Sequence, residues 1–376
     1  MEKDLEEVFI IYGNQPEEMV LRLIEESSAL TGFKQDDRIF IKPNLVASRK
    51  KWAGINTDPR VVKALIKALV ERGFRRITLG DGSGMGQSAS KAFEYCGYRD
   101  MAIKYGFKII DIEKGDFIRV PVNVEGPFGE LQIARTIIES DIFINVPIMK
   151  AHSQTLITCS LKNLKGAMPR SMKTRFHSVD LHRAIAQLNS VLKPDLILVD
   201  GLRGDLYSEL GRDPVEMDRI LLGTNPVAVD SVVAEILGYA PTDIRHIAFA
   251  ADAELGPCDL KEIRIRSLNR PAVEKHFAPP PHYSKRFPCT IIAEGACCTC
   301  TGNLVFALER LNQQGLLSRR IRILAGQLAE LPVEKGAFTV AVGSCVSKQA
   351  GVDCHINECP PSTGRIYQTI AKALLH

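Results

Sequence analysis

The feature that most constrains this chain is a series of short, β-branched apolar runs, each ending in polar residues at a turn. Asp141-Ile142-Phe143-Ile144-Asn145-Val146 is apolar nearly throughout, as a strand covered on both faces must be. Val8-Phe9-Ile10-Ile11-Tyr12, Arg38-Ile39-Phe40-Ile41, Arg76-Ile77-Thr78-Leu79 and Leu196-Ile197-Leu198-Val199 read the same way, with further strands near 108–112 and 117–122. Helical patterns lie between them. Asp58-Pro59-Arg60 opens one through Val70, with Asp58 as N-cap and Pro59 in the first turn. Others fit 88–105, 178–192 and Pro226 to about Leu237. This alternation predicts an α/β fold with a large, mostly parallel layered sheet.

The 376 residues allow one large or two modest domains. A content of 45% apolar and 24% charged residues excludes a disordered chain, a collagen-like fibre and a small disulfide scaffold. No apolar run reaches the roughly 18 residues of a spanning helix, and the acidic start Met1-Glu2-Lys3-Asp4 is no cleavable leader. The expectation is a soluble, cytoplasmic protein with no membrane partner. A net charge of +4 is too small to indicate nucleic acid. Pro271, Pro279, Pro280, Pro281 and Pro288 mark 271–288 as a semi-rigid linker. It separates a domain over 1–270 from a smaller α/β domain over 289–376. That smaller domain is expected to hold strands at 289–293, 320–324 and 338–342 and helices at 302–313 and 362–375.

Six of the ten cysteines (Cys297, Cys298, Cys300, Cys345, Cys354 and Cys359) fall in this last domain. In a cytosolic protein such clustering points to metal binding or redox chemistry rather than structural disulfides. The scattered Cys96, Cys159, Cys258 and Cys289 read as inert thiols. Cys297 and Cys300 precede a helix, Cys345 follows a strand, and Cys359 precedes the last helix. These strand and helix ends can converge on one sheet edge, where helix N-termini favour thiolates. Cys297, Cys300, Cys345 and Cys359 supply the four thiolates that a [4Fe-4S] cluster needs, and Pro360 matches the Cys-Pro that ends many such runs. Zinc is an alternative, although its structural sites usually show two close pairs. A catalytic disulfide is a third reading, and Cys298 or Cys354 can replace one of the four.

In the larger domain the polar strand ends are Lys42-Pro43-Asn44, Gly80-Asp81-Gly82-Ser83-Gly84-Met85-Gly86, Asn145-Val146-Pro147 with Lys150 and His152, Asp200-Gly201, and Gly223-Thr224-Asn225-Pro226. Parallel strands would bring these turns to one rim, where a substrate crevice is expected. Any one of them alone is equally a plain turn. The glycine loop fits neither the dinucleotide fingerprint nor the P-loop. Between Asp141 and Asp180 no acidic residue occurs, while Lys150, Lys162, Lys165, Arg170, Lys173 and Arg175 accumulate with His152 and His177. The segment reads either as a solvated basic loop or as an attractor of an anionic small molecule. Near-absence of aromatic residues argues against stacked nucleic-acid bases. A lysine held among cations can act as a base, and histidine exchanges protons near neutrality. Lys150, His152, Lys162 and Lys165 are therefore the catalytic candidates. Lys42, Asn44, Asp81 and Asn163 are the candidates for cofactor contact.

Five ordered motifs carry a resemblance. Ile41-Lys42-Pro43-Asn44, Gly80-Asp81-Gly82-Ser83, Asn145-Val146-Pro147 with Lys150 and His152, Leu161-Lys162-Asn163 with Lys165-Gly166, and Asn225-Pro226-Val227-Ala228-Val229-Asp230 resemble a large prokaryotic family catalogued as domain of unknown function 362. The resemblance covers about 36–240 and implies no settled activity. Members are often joined to iron–sulfur modules and are common in anaerobes. This chain departs from their contiguous C-x2-C-x2-C-x3-C-P run, since its cysteines are dispersed over 297–359. The lysine and histidine rim is also similar to that of the lactate racemase family, with no residue-by-residue match. The leading expectation is an iron–sulfur enzyme, redox or Lewis-acid, acting on an anionic organic substrate. The alternatives are an electron carrier or assembly protein serving a redox partner, and a cofactor-dependent racemase or isomerase with structural zinc.

Overall fold

The computed structural model describes residues 5–46, 54–82, 84, 88–176, 179–207, 209, 214–273, 275–279, 283–293, 296, 298–326, 336–346 and 352–375. The chain divides into two compact units: Met1–Phe176 with Asp180–Pro279, and His177–Val179 with Pro280–His376.

The first unit is built on an eight-stranded sheet. Its strands are β1 (Glu6–Tyr12), β2 (Ile39–Pro43), β3 (Ile77–Asp81), β4 (Lys108–Asp111), β5 (Ile142–Val146), β6 (Leu196–Asp205), β7 (Pro214–Gly223) and β8 (Ile263–Ser267), in the order β8-β1-β7-β6-β5-β2-β3-β4. Every pairing is parallel except those of β7, which runs antiparallel to both β1 and β6. The sheet is thus mostly parallel, as the unbroken apolar runs require: β2 and β5 are buried along their whole length. Reversal of β7 carries Gly223 to the edge where Val8 and Ile197 stand, near the starts of β1 and β6. The Asn225-Pro226 turn therefore lies at the opposite edge from the ends of β2, β3 and β5, not on a shared rim.

Helix α1 (Pro16–Ser27) and α2 (Pro59–Glu71) pack on this sheet. Asp58 accepts a hydrogen bond from Arg60 N, Pro59 takes a first-turn position with no donor to satisfy, and Val61, Val62, Leu65, Ile66 and Leu69 bury one face. Truncating Leu65 to Ala would cost about 2–5 kcal/mol. The helical segments expected over 88–105 are two helices, Ala89–Tyr95 and Tyr98–Tyr105, parted where Gly97 takes a left-handed conformation (φ 70°). Four more helices matter below: α3 (Ser160–Asn163), α4 (Leu181–Val191), α5 (Pro226–Ile236) and α6 (Arg245–Asp252).

The second unit holds a four-stranded, wholly parallel sheet in sequential order: β9 (Thr290–Ile292), β10 (Ile321–Ala325), β11 (Phe338–Val342) and β12 (Cys354–Ile356). Helices α7 (Cys298–Gln313) and α8 (Thr363–Leu375) share its core with Leu304, Leu308, Ile323, Val340, Ile366 and Ile370. Strand β12 is absent from the expectation, because three residues reading Cys-His-Ile carry no apolar run. Among the described residues, no helix is long and apolar enough to cross a membrane.

Candidate functional site

Strands β2, β3 and β5 end side by side, with Lys42 in register with Asn145. Lys42 and Asn145, each next to last in its strand, and Asp81, the last of β3, are all buried at the C-terminal edge of the sheet. Helix α3 brings Asn163 to them. It is held in place from α5, whose Asp230 carboxylate accepts Ser160 N at 2.7 Å and Leu161 N at 3.0 Å. Burial lifts Asp230 to about 7 against the pull of those two amides. The Asn225–Asp230 motif is thereby explained as scaffolding: Asn225 Oδ1 caps α5 through Val227 N and Ala228 N, and Asp230 anchors α3.

The result is a continuous polar network. Lys42 Nζ lies 2.6 Å from Asp81 Oδ1 and donates to Asn163 Oδ1 at 3.3 Å and to Pro43 O at 3.3 Å. Asn44 Nδ2 donates to Asn163 Oδ1 at 2.9 Å, and Asn163 Nδ2 to Asn145 Oδ1 at 2.7 Å. Asp81 Oδ2 accepts Leu45 N at 2.8 Å. Burial pushes the Lys42 pKa down and the Asp81 pKa up, while their direct contact pushes each back. The buried Asn44 Oδ1 has no hydrogen-bond partner. Gly166 closes over the pair so tightly that a Cβ there would stand 2.0 Å from Asp81 Oδ1 and 2.6 Å from Lys42 Nζ. The glycine of the 161–166 motif is thus required by close approach.

Lys150 and His152 lie on a hairpin strand, Lys150–His152, paired with Leu156–Thr158. Lys150 is fully buried, and its ammonium donates to Ile55 O at 2.6 Å and Glu209 O at 2.9 Å. Burial first, and then the Lys162 charge, bring its pKa down to about 7. His152 Nδ1 accepts Gln154 N at 3.1 Å and Thr155 N at 3.3 Å, which puts the ring proton on Nε2 in the neutral form. That Nε2 lies 4.0 Å from Glu209 Oε1, and the Glu209 carboxylate also accepts Ser153 N at 3.1 Å. Glu209 joins this cluster from a part of the chain that carries no motif.

Counter-charges absent from the local sequence of the basic segment are supplied from elsewhere. Glu113 pairs with Arg170 at 2.6 Å and with Lys173 at 2.5 Å. Arg175 sits 5.1 Å from the Phe128 ring centroid and Lys165 5.8 Å from that of Phe176. Two of the six cations of 141–180, Arg170 and Lys173, thus have their counter-charge from outside the segment. Lys173 Nζ also donates to Gly82 O at 3.2 Å, tying the end of β3 to the segment after α3. The rest of the glycine loop (residues 83 and 85–86) and His177 lie outside the described residues.

Two further imidazoles belong to this region. His246, on α6, is fully buried, and its ring stacks on that of His182, on α4, at a centroid distance of 5.6 Å. Burial, then the charges of His182 and Lys162, hold His246 well below the usual histidine range, and burial brings His182 to about 4. Neither stands in a motif, and only an i, i+4 apolar pattern surrounding a histidine hints at burial in each helix.

In the second unit Cys300 is buried near the start of α7, while Cys345 and Cys359 are exposed. Gly343 (φ 103°) follows β11, and a Cβ there would stand 3.3 Å from Cys345 Sγ and 3.6 Å from Cys300 Sγ. Two of the expected thiols therefore border one spot beyond the end of β11. The segment leading to Cys359 is tied to that loop, since Ser344 N donates to Glu358 O at 3.0 Å and Gly343 N to Ile356 O at 3.0 Å. His355 Nε2 is 3.1 Å from Gly343 O. Cys297 and the side chain of Cys298 lie outside the described residues. Among the described residues, no group of three or more His, Cys, Asp or Glu side chains is arranged to hold a metal ion.

Fold and site together define a two-unit α/β protein with a continuous polar network at the strand ends of one sheet and exposed thiols at those of the other. The chain belongs to the family described as Domain of unknown function (DUF362), whose profile matches residues 39–235. It is similar to a thylakoid-associated protein of Synechocystis sp., with 27% identity over 243 residues that cover 62% of this chain and 74% of the relative. Among solved structures it is similar to a protein of Thermotoga maritima (TM-score 0.36, 15% identity, 50% of this chain and 51% of that one). This chain thus spans about half the length of that protein. It is also similar to the lactate racemase apoprotein of Thermoanaerobacterium thermosaccharolyticum (TM-score 0.42, 10% identity, 85% of this chain and 69% of that one).

Proposed function

We propose that this chain is an iron–sulfur protein whose second unit holds a [4Fe-4S] cluster and whose first unit acts on a small anionic organic substrate. The observation that carries this reading is the approach of Cys300 Sγ and Cys345 Sγ to the same side of Gly343, with the Cys359 segment bonded to that loop. A donor set of sulfurs from the start of α7 and the loops after β11 and β12 suits iron–sulfur ligation. Cys297, Cys300, Cys345 and Cys359 are the proposed ligands. A bound cluster supplies single electrons or a Lewis-acidic iron.

The first unit contributes proton handling. Lys150, with a pKa of about 7, accepts or releases a proton at neutral pH from a fully buried position. His152 presents its Nε2 toward Glu209, which fixes one tautomer for the same work. Lys42, Asn44, Asp81 and Asn163 tie the ends of β2, β3 and β5 to α3. Lys162 supplies positive charge, and Lys165 covers the Phe176 ring.

The test is substitution of Cys300, Cys345 and Cys359 to Ser one at a time, with Cys258→Ser as control, each purified without oxygen. The reading expects loss of visible cluster absorbance in the first three and wild-type absorbance in the control. Equal absorbance in all four contradicts it. A second reading, an electron carrier with no substrate of its own, is favoured by the Lys42 network, in which Asp81, Asn163 and Pro43 take up the ammonium. A small-molecule binder of the first unit found by calorimetry would reject it.

A further inference from the structure

The strongest anomaly outside the Lys42 network is the histidine pair of α4 and α6. A neutral imidazole has one N–H to donate and one lone pair to fill. Both ring nitrogens of the fully buried His246 lack a hydrogen-bond partner, and so does Nδ1 of His182. Leaving such atoms bare is costly, so a ligand with polar atoms at this place has a ready source of affinity.

The surrounding charges decide the kind of ligand. The Lys162 ammonium acts on both His246 and Lys150. Arg245 lowers the His182 pKa and Asp180 raises it, and the two are bonded to each other at 2.8 Å, so their charges offset and Lys162 is the cation left to act on the pair. A divalent metal ion would add like charge beside Lys162, and two imidazoles alone make an incomplete ligand set. An anion would be attracted by Lys162 and would accept the imidazole N–H groups.

We propose that His182, His246 and Lys162 together bind one oxyanion group, the carboxylate or phosphate of a small ligand. The site rests on the reading that the first unit takes an anionic substrate, and it says where the anionic end sits. The bound oxyanion accepts the N–H of each ring and pairs with the Lys162 ammonium. A hydroxyl of the ligand, or a water, fills the lone pair left on His246. Lys162 then links this anion seat to Lys150.

The experiment uses the full chain and two probes, inorganic phosphate and acetate, each titrated with calorimetry and with NMR of the histidine ring nitrogens. The expected result is saturable movement of the His182 and His246 ring signals at the affinity that calorimetry reports, for one probe at least. Stronger binding of one probe distinguishes a phosphate from a carboxylate ligand. Lys162→Met, whose ammonium is not part of the core, should weaken that binding about tenfold or more. Unchanged thermal unfolding shows that the variant is folded. If calorimetry detects either anion while the ring signals stay still and Lys162→Met binds normally, the proposal is overturned and the anionic-substrate reading stands. Zinc moving both rings, with phosphate and acetate inert, overturns it in favour of a metal site. Neither anion binding by either method overturns both.

Discussion

The C-terminal edges of the two parallel sheets make opposite use of the same geometry. In the large sheet, the side chains at the ends of β2, β3 and β5 satisfy one another: Lys42 pairs with Asp81, and Asn44, Asn163 and Asn145 form a chain of amides. In the small sheet, the loop after β11 is fixed by backbone bonds to Ile356 O and Glu358 O, and Cys345 and Cys359 face outward. The first edge is ordered by side chains bonded to one another, with Asn44 Oδ1 left over, so it serves as a rigid frame. The second is ordered by main chain, with Cys345 and Cys359 exposed. The difference teaches that a strand-end rim is not by itself a binding site. What matters is whether its polar atoms are already spoken for.

The largest effect should come from breaking up the first edge. Lys42→Met leaves the Asp81 carboxylate buried without its cation and should cost about 3–5 kcal/mol, read by urea unfolding. Replacing both residues with apolar ones of similar size should restore most of that loss. A double variant as unstable as the single would mean that the pair is not the unit that matters. Gly166→Ala should be comparably damaging, because its Cβ has no place beside Asp81 and Lys42.

A middle-sized effect concerns Lys150. Its folded pKa of about 7 lies below the ordinary lysine value of 10.5, so between those values the unfolded chain binds more protons than the native one. Stability should therefore rise with pH from about 7 toward 10.5, once its other pH-dependent terms are subtracted by comparison with Lys150→Met. The variant should show a flatter profile over that window. Parallel profiles would place the lysine pKa near its usual value. His182, at about 4 in the fold against an ordinary 6.5, predicts the acid-side counterpart: stability lost as pH falls from 6.5 through 4, and less so in His182→Gln. The smallest effect is Asn225→Ala, which removes the cap of α5 and should cost about 1 kcal/mol. Because that turn lies at the far edge, the substitution should leave metal content and anion affinity at wild-type values.

Much of this arrangement was legible in the residues. The run Ile142–Val146 could only be a strand covered on both faces, and Lys42, Asn44, Asp81 and Asn163, separated by up to 121 positions, meet where parallel strands end. Strand direction was not legible. The pattern of Pro214–Gly223 is the same whichever way it runs, so the misplaced Asn225 turn could be found only from pairing. Local charge counting is blind to such pairs as Glu113 with Arg170, 57 positions apart. His182 and His246 carried no signal as ligand-binding residues: each sits singly in an amphipathic helix, and only the packing of α4 on α6 stacks them. The cysteines were visible as a cluster. The role of Gly343 beside two of them needed a backbone.

The most direct measurement is iron, acid-labile sulfide and zinc analysis of the full chain purified without oxygen, with electron paramagnetic resonance after reduction. The account predicts about four irons and four sulfides per chain, with a signal from a reduced four-iron cluster. Zinc in the absence of sulfide, or no metal at all, would contradict it.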